Sequence, residues 1–130
     1  MIELENGQFH IGGIAITDLC KEFDTPLYVY DSAVMERQYR RLEAAFQNHS
    51  LKIKFACKAL NNLSVLKFLR SLGSGLDTVS IQEVWLGLKA GFSPEEIIYT
   101  PNGVSLDEIQ MAVEAGVQIN IDNLSVLEQF

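Results

Sequence analysis

Lys58 stands in Phe55-Ala56-Cys57-Lys58-Ala59-Leu60-Asn61, after a short apolar run and just before a helical pattern. A lysine amine in that position can attack a carbonyl carbon, and holding a cofactor aldehyde as a Schiff base is the chemistry it suits best. In parallel α/β barrels, chemistry gathers at the C-terminal ends of the strands. Alternation along a strand from Leu51 to Ala59 puts Lys52, Lys54, Ala56 and Lys58 on one face. Leu51, Ile53, Phe55, Cys57 and Ala59 fall on the other, which is apolar and packs under helices. The lysine face then looks into the barrel. Desolvation there would favour the neutral, nucleophilic amine. The plainer reading is a lysine whose ammonium reaches water at a strand end.

Two acids follow at suggestive spacing. Asp77, in Gly75-Leu76-Asp77-Thr78-Val79-Ser80, lies on the next strand and could orient Lys58 as an ammonium ion. It reads equally well as a solvated strand aspartate. Glu83 closes Ser80-Ile81-Gln82-Glu83, a capping-box pattern in which its carboxylate takes the Ser80 N–H. That local role explains it, and a place beside Lys58 at the same barrel mouth is the alternative. Thr100-Pro101-Asn102-Gly103-Val104-Ser105 is a turn signal first and a pocket wall second. His10 and His49 have no partners at catalytic spacing, and Cys57 reads as a small buried hydrophobe.

The elements that must carry these residues alternate. Asp31 caps a helix with Met35, Tyr39, Leu42 and Phe46 on one stripe. Strands are expected at 51–59, 76–80, 97–100 and 117–121. Helices follow each, with Gly73 and Gly91 as left-handed ends and capping boxes at Ser93 and Ser105. The last helix begins at Leu124, with Leu124, Leu127 and Phe130 on its buried side. Four βα units in a row imply a parallel sheet with right-handed crossovers. The expected fold class is therefore α/β: the first half of a (β/α)8 TIM-type barrel over residues 31–130. A complete barrel needs about 250 residues, so the chain reads as a fragment cut in mid-helix, with unpaired and aggregation-prone sheet edges. A four-stranded flavodoxin-like sheet is the structural alternative. Residues 1–30 read differently: a strand and turn at 9–16, a short helix at 17–23 and an extended piece at 25–30. They are expected to belong to a separate β-domain.

Composition narrows the partners. The 130 residues are 48% hydrophobic and carry a net charge of -7, with the acids scattered. That balance opposes binding to nucleic acid or to an anionic membrane. No apolar run is long enough to span a bilayer, and the first residues have no secretion-signal pattern. Cys20 and Cys57 make neither a metal nor a disulfide pattern, which fits a cytoplasmic location.

Taken together, these stretches resemble the fold-type III, alanine-racemase-like pyridoxal-phosphate decarboxylases. Thr25-Pro26-Leu27-Tyr28-Val29-Tyr30-Asp31 is similar to a TPxYVYD pattern. Phe55 to Ala59 is similar to the YAxKA cofactor-lysine motif, and Gly75 to Glu83 to GADVVSxxE. Ile97 to Gly103 and Ile119 to Asn123 resemble later barrel strands. Phe55 replaces the usual tyrosine, and Leu60 intervenes before Asn61. The resemblance implies that Lys58 binds pyridoxal 5'-phosphate, with Asp77 and Glu83 as nearby acids. It implies a homodimer acting on a small amino acid, with meso-diaminopimelate decarboxylated to L-lysine. It also implies that the phosphate-binding glycine loop, the acid at the pyridine nitrogen and the partner-subunit residues lie outside residues 1–130, so that the fragment alone is inactive. Ornithine, arginine or carboxynorspermidine decarboxylases, a racemase, a non-catalytic cofactor-binding homologue and a cofactor-free Schiff-base aldolase are the rivals.

Overall fold

A computed structural model describes residues 2–129, which divide into two compact units, Met1–Phe46 and Gln47–Phe130. In the first unit, strands β1 (Ile2–Glu5), β2 (Gln8–Ile11) and β3 (Ile14–Ala15) form an antiparallel meander. Its turns use positive φ at Asn6, Gly7, Gly12 and Gly13, backbone that glycine and asparagine adopt at least cost. Helix α1 (Ile16–Phe23) follows. The stretch expected to be extended, 25–30, joins no strand and begins with a cis Thr25–Pro26 bond. Asp31 caps α2 (Ser32–Ala45), accepting the N–H groups of Ala33 and Val34. Of the expected apolar stripe on α2, Tyr39 is buried while Leu42 and Phe46 remain exposed.

The second unit contains the parallel sheet. Its strands are β4 (Lys54–Ala56), β5 (Gly75–Thr78), β6 (Ile97–Tyr99) and β7 (Gln118–Ile119), hydrogen-bonded in that order. Each is followed by a helix: α3 (Leu63–Ser71), α4 (Ile81–Ala90), α5 (Leu106–Glu114) and α6 (Leu124–Gln129). Strand order equals chain order, without the reversal that a flavodoxin-like sheet requires. Right-handed crossovers without reversal put every helix on one face, which is the arrangement of a barrel segment.

Register decides the two faces. Phe55, Leu76 and Ile97 lie side by side, as do Thr78, Tyr99 and Ile119. These pack with Leu66, Ile81, Val84, Phe92 and Ala112 in a single core cluster. The Tyr99 hydroxyl is buried there without a hydrogen-bond partner among the described residues, and burial raises its pKa. The opposite face carries Lys54, Ala56, Gly75, Asp77, Ile98 and Gln118.

Helix ends follow the sequence closely. Gly91 ends α4 in the left-handed region, and Gly73 follows α3 with φ of 99°. Capping boxes form at Ser93 and Ser105. Helix α6 departs from expectation: Leu124 and Leu127 are exposed, and Val126 is the side chain turned inward. Val126 lines a small cavity together with Ile109, Ile121 and the β6–α5 loop residues Pro101, Gly103 and Val104. The reading of Phe130 lies outside the described residues.

Candidate functional site

The site is built at the C-terminal edge of the parallel sheet. Strand β4 ends at Ala56, and Cys57–Ala59 then forms a 3-10 turn closed by the Leu60 N–H donating to the Cys57 carbonyl at 3.1 Å. The extended backbone expected from 51 to 59 is thus only three residues long. Alternation of faces holds only while the backbone is extended, and in a 3-10 turn the repeat is three. Lys58 is therefore carried by the turn beyond the strand end, where the alternation that aimed it into the barrel no longer applies, and it is exposed. Its amine makes no hydrogen bond or ion pair among the described residues. Cys57 keeps its expected place and is fully buried.

The buried-lysine argument applies instead to Lys54. Its side chain is half-buried and its Nζ donates to the Glu96 carbonyl at 3.2 Å. Burial lowers its pKa, the Lys52 charge adds to this, and Asp77 and Glu96 oppose it. Gly75 makes the path possible: a Cβ there would stand 3.0 Å from Lys54 Cγ and 2.6 Å from the Glu96 carbonyl oxygen. Yet Lys54 opens β4, at the end away from Lys58. A perturbed lysine is a pointer to function only when it also lies where chemistry can occur. Position favours the exposed Lys58.

Asp77 is half-buried on β5, in register with Ala56 of β4. It is not a free strand aspartate. Thr100 Oγ1 donates to Asp77 Oδ1 at 2.9 Å, and Asn120 Nδ2 donates to Thr100 Oγ1 at 3.2 Å. Thr100 and Asn120 lie just past the ends of β6 and β7. The Thr100 N–H still donates to the Thr78 carbonyl at 2.7 Å, and the Asn120 N–H to the Tyr99 carbonyl at 2.8 Å. Sheet register therefore continues one residue further, and alternation puts both side chains on the Asp77 face. The sequence places Thr100 at the end of the 97–100 strand, in a segment that is a turn first and a pocket wall second, and Asn120 inside the 117–121 strand, with no chemistry assigned to either. Two steps of alternation from Ile98 and Gln118 would have found them, given the register.

Glu83 is a cap, but not the expected one. Its Oε2 accepts the Val79 N–H at 2.8 Å, one residue before Ser80, while Ser80 Oγ accepts the Glu83 N–H at 3.3 Å. The carboxylate thus reaches past the helix start toward the strand end. There it affects the turn that carries Lys58: burial, with the Glu83 charge second, pushes the Cys57 thiol up to about 11. The cap and the site position belong to the same side chain. No hydrogen bond or ion pair joins Lys58 to Asp77 or Glu83 among the described residues.

The Cys57 shift makes a prediction. The folded thiol stays neutral to a higher pH than an unfolded one. Stability should be fully present below the ordinary thiol range and lost as pH rises from there toward 11, because the unfolded chain ionises first. Over that window the loss is expected to be about 2–3 kcal/mol. Denaturation at stepped pH reads it, and Cys57→Ala should flatten the profile.

The chemistry of this set fits a pyridoxal cofactor: an accessible primary amine at a strand end, with two carboxylates on the neighbouring elements. No group of three or more histidine, cysteine or acidic residues suited to a metal is found among the described residues. Nor is any helix among them long and apolar enough to cross a membrane.

Known proteins agree with the geometry. A diaminopimelate decarboxylase of Methanothermobacter thermautotrophicus is 43% identical over 95% of this chain, which spans 29% of that protein. One from Archaeoglobus fulgidus is 35% identical over 98% of this chain and 30% of its own length. The chain thus covers under a third of these relatives. The crystal structure of diaminopimelate decarboxylase from M. jannaschii in complex with L-lysine matches 98% of the chain and 31% of its own, with a TM-score of 0.92 at 30% identity. A lysine/ornithine decarboxylase from Vibrio vulnificus complexed with putrescine matches 88% of the chain and 31% of its own, with a TM-score of 0.81 at 29% identity. Residues 32–130 match the family described as pyridoxal-dependent decarboxylase, pyridoxal binding domain. On this match, supported by the parallel sheet and by the lysine at its C-terminal edge, the chain belongs to the pyridoxal-binding domain family of the pyridoxal-dependent decarboxylases.

Proposed function

We propose that this chain supplies the lysine-bearing part of a pyridoxal-phosphate-dependent decarboxylase that converts meso-diaminopimelate to L-lysine. Lys58 holds the cofactor through its amine, with Asp77 and Glu83 as the acids flanking it. The observation that supports this reading is the placement of the three residues: Lys58 in the turn after β4, Asp77 near the end of β5 and Glu83 in the first turn of α4, all on elements at the C-terminal edge of the sheet. When bound, the cofactor supplies an electron sink for the pair left behind as carbon dioxide departs. Lys58, exposed beyond the strand end, would hold the cofactor through its amine and could act as the proton donor to the substrate α-carbon. Asp77, held through Oδ1 by the Thr100 hydroxyl, would place a carboxylate on the side of the sheet where an amine could be paired. Glu83, fixed through the Val79 N–H, adds a second negative charge on the same side.

The same reading assigns residues 1–30 to a separate β-domain and 31–130 to a partial cofactor barrel, supported by the family match beginning at residue 32. It also includes a homodimer in the cytoplasm. The two free cysteines support that location.

The similarity to a lysine/ornithine decarboxylase favours a second substrate class, the monocarboxylic diamino acids. Carbon dioxide release by the whole protein separates them. Turnover of meso-diaminopimelate at least tenfold faster than that of ornithine, lysine or arginine is expected. Preference for a monocarboxylic substrate would move the assignment to the second class, and no turnover of any of them would overturn both.

A further inference from the structure

We propose that Thr100 and Asn120 are positioning residues for the cofactor site, acting through Asp77 as a directed hydrogen-bond relay. The inference rests on the proposed function and adds two residues to its site. Asn120 Nδ2 donates to Thr100 Oγ1 at 3.2 Å, and Thr100 Oγ1 donates its single proton to Asp77 Oδ1 at 2.9 Å. An amide N–H can only donate and a carboxylate can only accept. With both ends fixed, the hydroxyl between them has one orientation.

The relay crosses three adjacent strand ends, β5, β6 and β7, on the face opposite the apolar core. Backbone hydrogen bonds from Thr100 to Thr78 and from Asn120 to Tyr99 hold both residues in sheet register, so neither depends on a mobile loop for its place. With Oδ1 engaged, Asp77 keeps Oδ2 as the acceptor without a partner among the described residues. The relay thus fixes which carboxylate oxygen is available and at what angle. Neither Thr100 nor Asn120 hydrogen-bonds Lys58 among the described residues, so the effect assigned to them runs through Asp77.

The test uses the whole protein loaded with pyridoxal phosphate. Visible circular dichroism of the bound cofactor reports its orientation, and fluorescence titration reports its affinity. Thr100→Val keeps the shape but removes the donor. It should change the visible dichroism and weaken cofactor binding by about fivefold or more. Thr100→Ser keeps the donor and should restore both. Asn120→Ala, at an exposed position, should act in the same direction but more weakly, and should add nothing in the Thr100→Val background because the relay passes through Thr100. Thr100→Val with unchanged dichroism and affinity would overturn the relay, as would an Asn120→Ala effect undiminished in that background. A Thr100→Ser variant no better than Thr100→Val would overturn it too, since a packing role would then suffice. Absence of any cofactor signal in the unmodified protein would instead overturn the proposed function itself.

Discussion

Replacing Lys58 with alanine in the whole protein is expected to abolish the borohydride-reducible visible absorbance of the bound cofactor. Decarboxylation should fall by about a thousandfold or more, the scale of losing a group that both anchors and transfers a proton. Stability should hardly change. Lys58 is exposed and makes no hydrogen bond among the described residues, and surface substitutions of that kind usually stay within about 0.5 kcal/mol. That separation of activity from stability is what makes the test clean. Lys54→Ala is the informative contrast. Lys54 is the lysine with the lowered pKa, but its amine is spent on the Glu96 carbonyl and it lies at the wrong end of β4. Its loss should disturb packing between β4, β5 and the turn before β6 while leaving the reducible absorbance in place. If instead Lys54→Ala bleached the protein and Lys58→Ala did not, the assignment of the amine would be wrong.

The largest effect on stability should come from the contact between α4 and the sheet. Gly87 lies on the buried side of α4, and a Cβ there would stand 2.6 Å from Leu76 Cδ2 and 3.1 Å from Ile97 Cδ1. Helix propensity alone says that Gly87→Ala should stabilise by about 1 kcal/mol. Overpacking a filled core costs about 1–3 kcal/mol. Both obstructing atoms belong to side chains with no exposed surface, so they have little room to yield, and the packing cost should win. Leu76→Ala should cost about 2–5 kcal/mol through the cavity it leaves. The two changes are complementary in shape: the alanine methyl at 87 would enter the space that Leu76 vacates. The double variant should therefore be more stable than the sum of the singles by about 1 kcal/mol or more. Denaturant titration of the four proteins tests this. Strict additivity would mean that α4 shifts bodily and does not press on Leu76.

Much of the fold was legible because its signals are local. Ser93 and Ser105 with a glutamate three residues on, glycines at 73 and 91, and Asp31 ahead of an amphipathic run each carry a complete physical mechanism within a few residues. Four helices alternating with four strands then leave few topologies once crossovers are right-handed. The short β1 was not read, since Ile2 to Glu5 pairs only through a partner strand further along the chain. The Leu124 and Leu127 stripe differs for a related reason: periodicity finds an apolar face, but which side of a six-residue helix is covered depends on neighbours distant in sequence, and here Val126 is the less exposed residue.

Sequence by itself determined which residues are candidates for chemistry: Lys58, Asp77 and Glu83 stand in an order and spacing that hold whatever the coordinates. It also determined the βα rhythm that brings them to one sheet edge. Tertiary structure decided how each is held. Alternation placed Lys58 on the inner strand face, and the folded chain places it in a 3-10 turn after Ala56, exposed. A capping rule tied Glu83 to Ser80, and the folded chain ties it to Val79. The sequence offered Asp77 only Lys58 as a partner, and register supplied Thr100, 23 residues away, with Asn120 a further 20 beyond. Local rules see neighbours within a turn of helix or a step of strand. A hydrogen bond across three strands exists only once the strands are aligned.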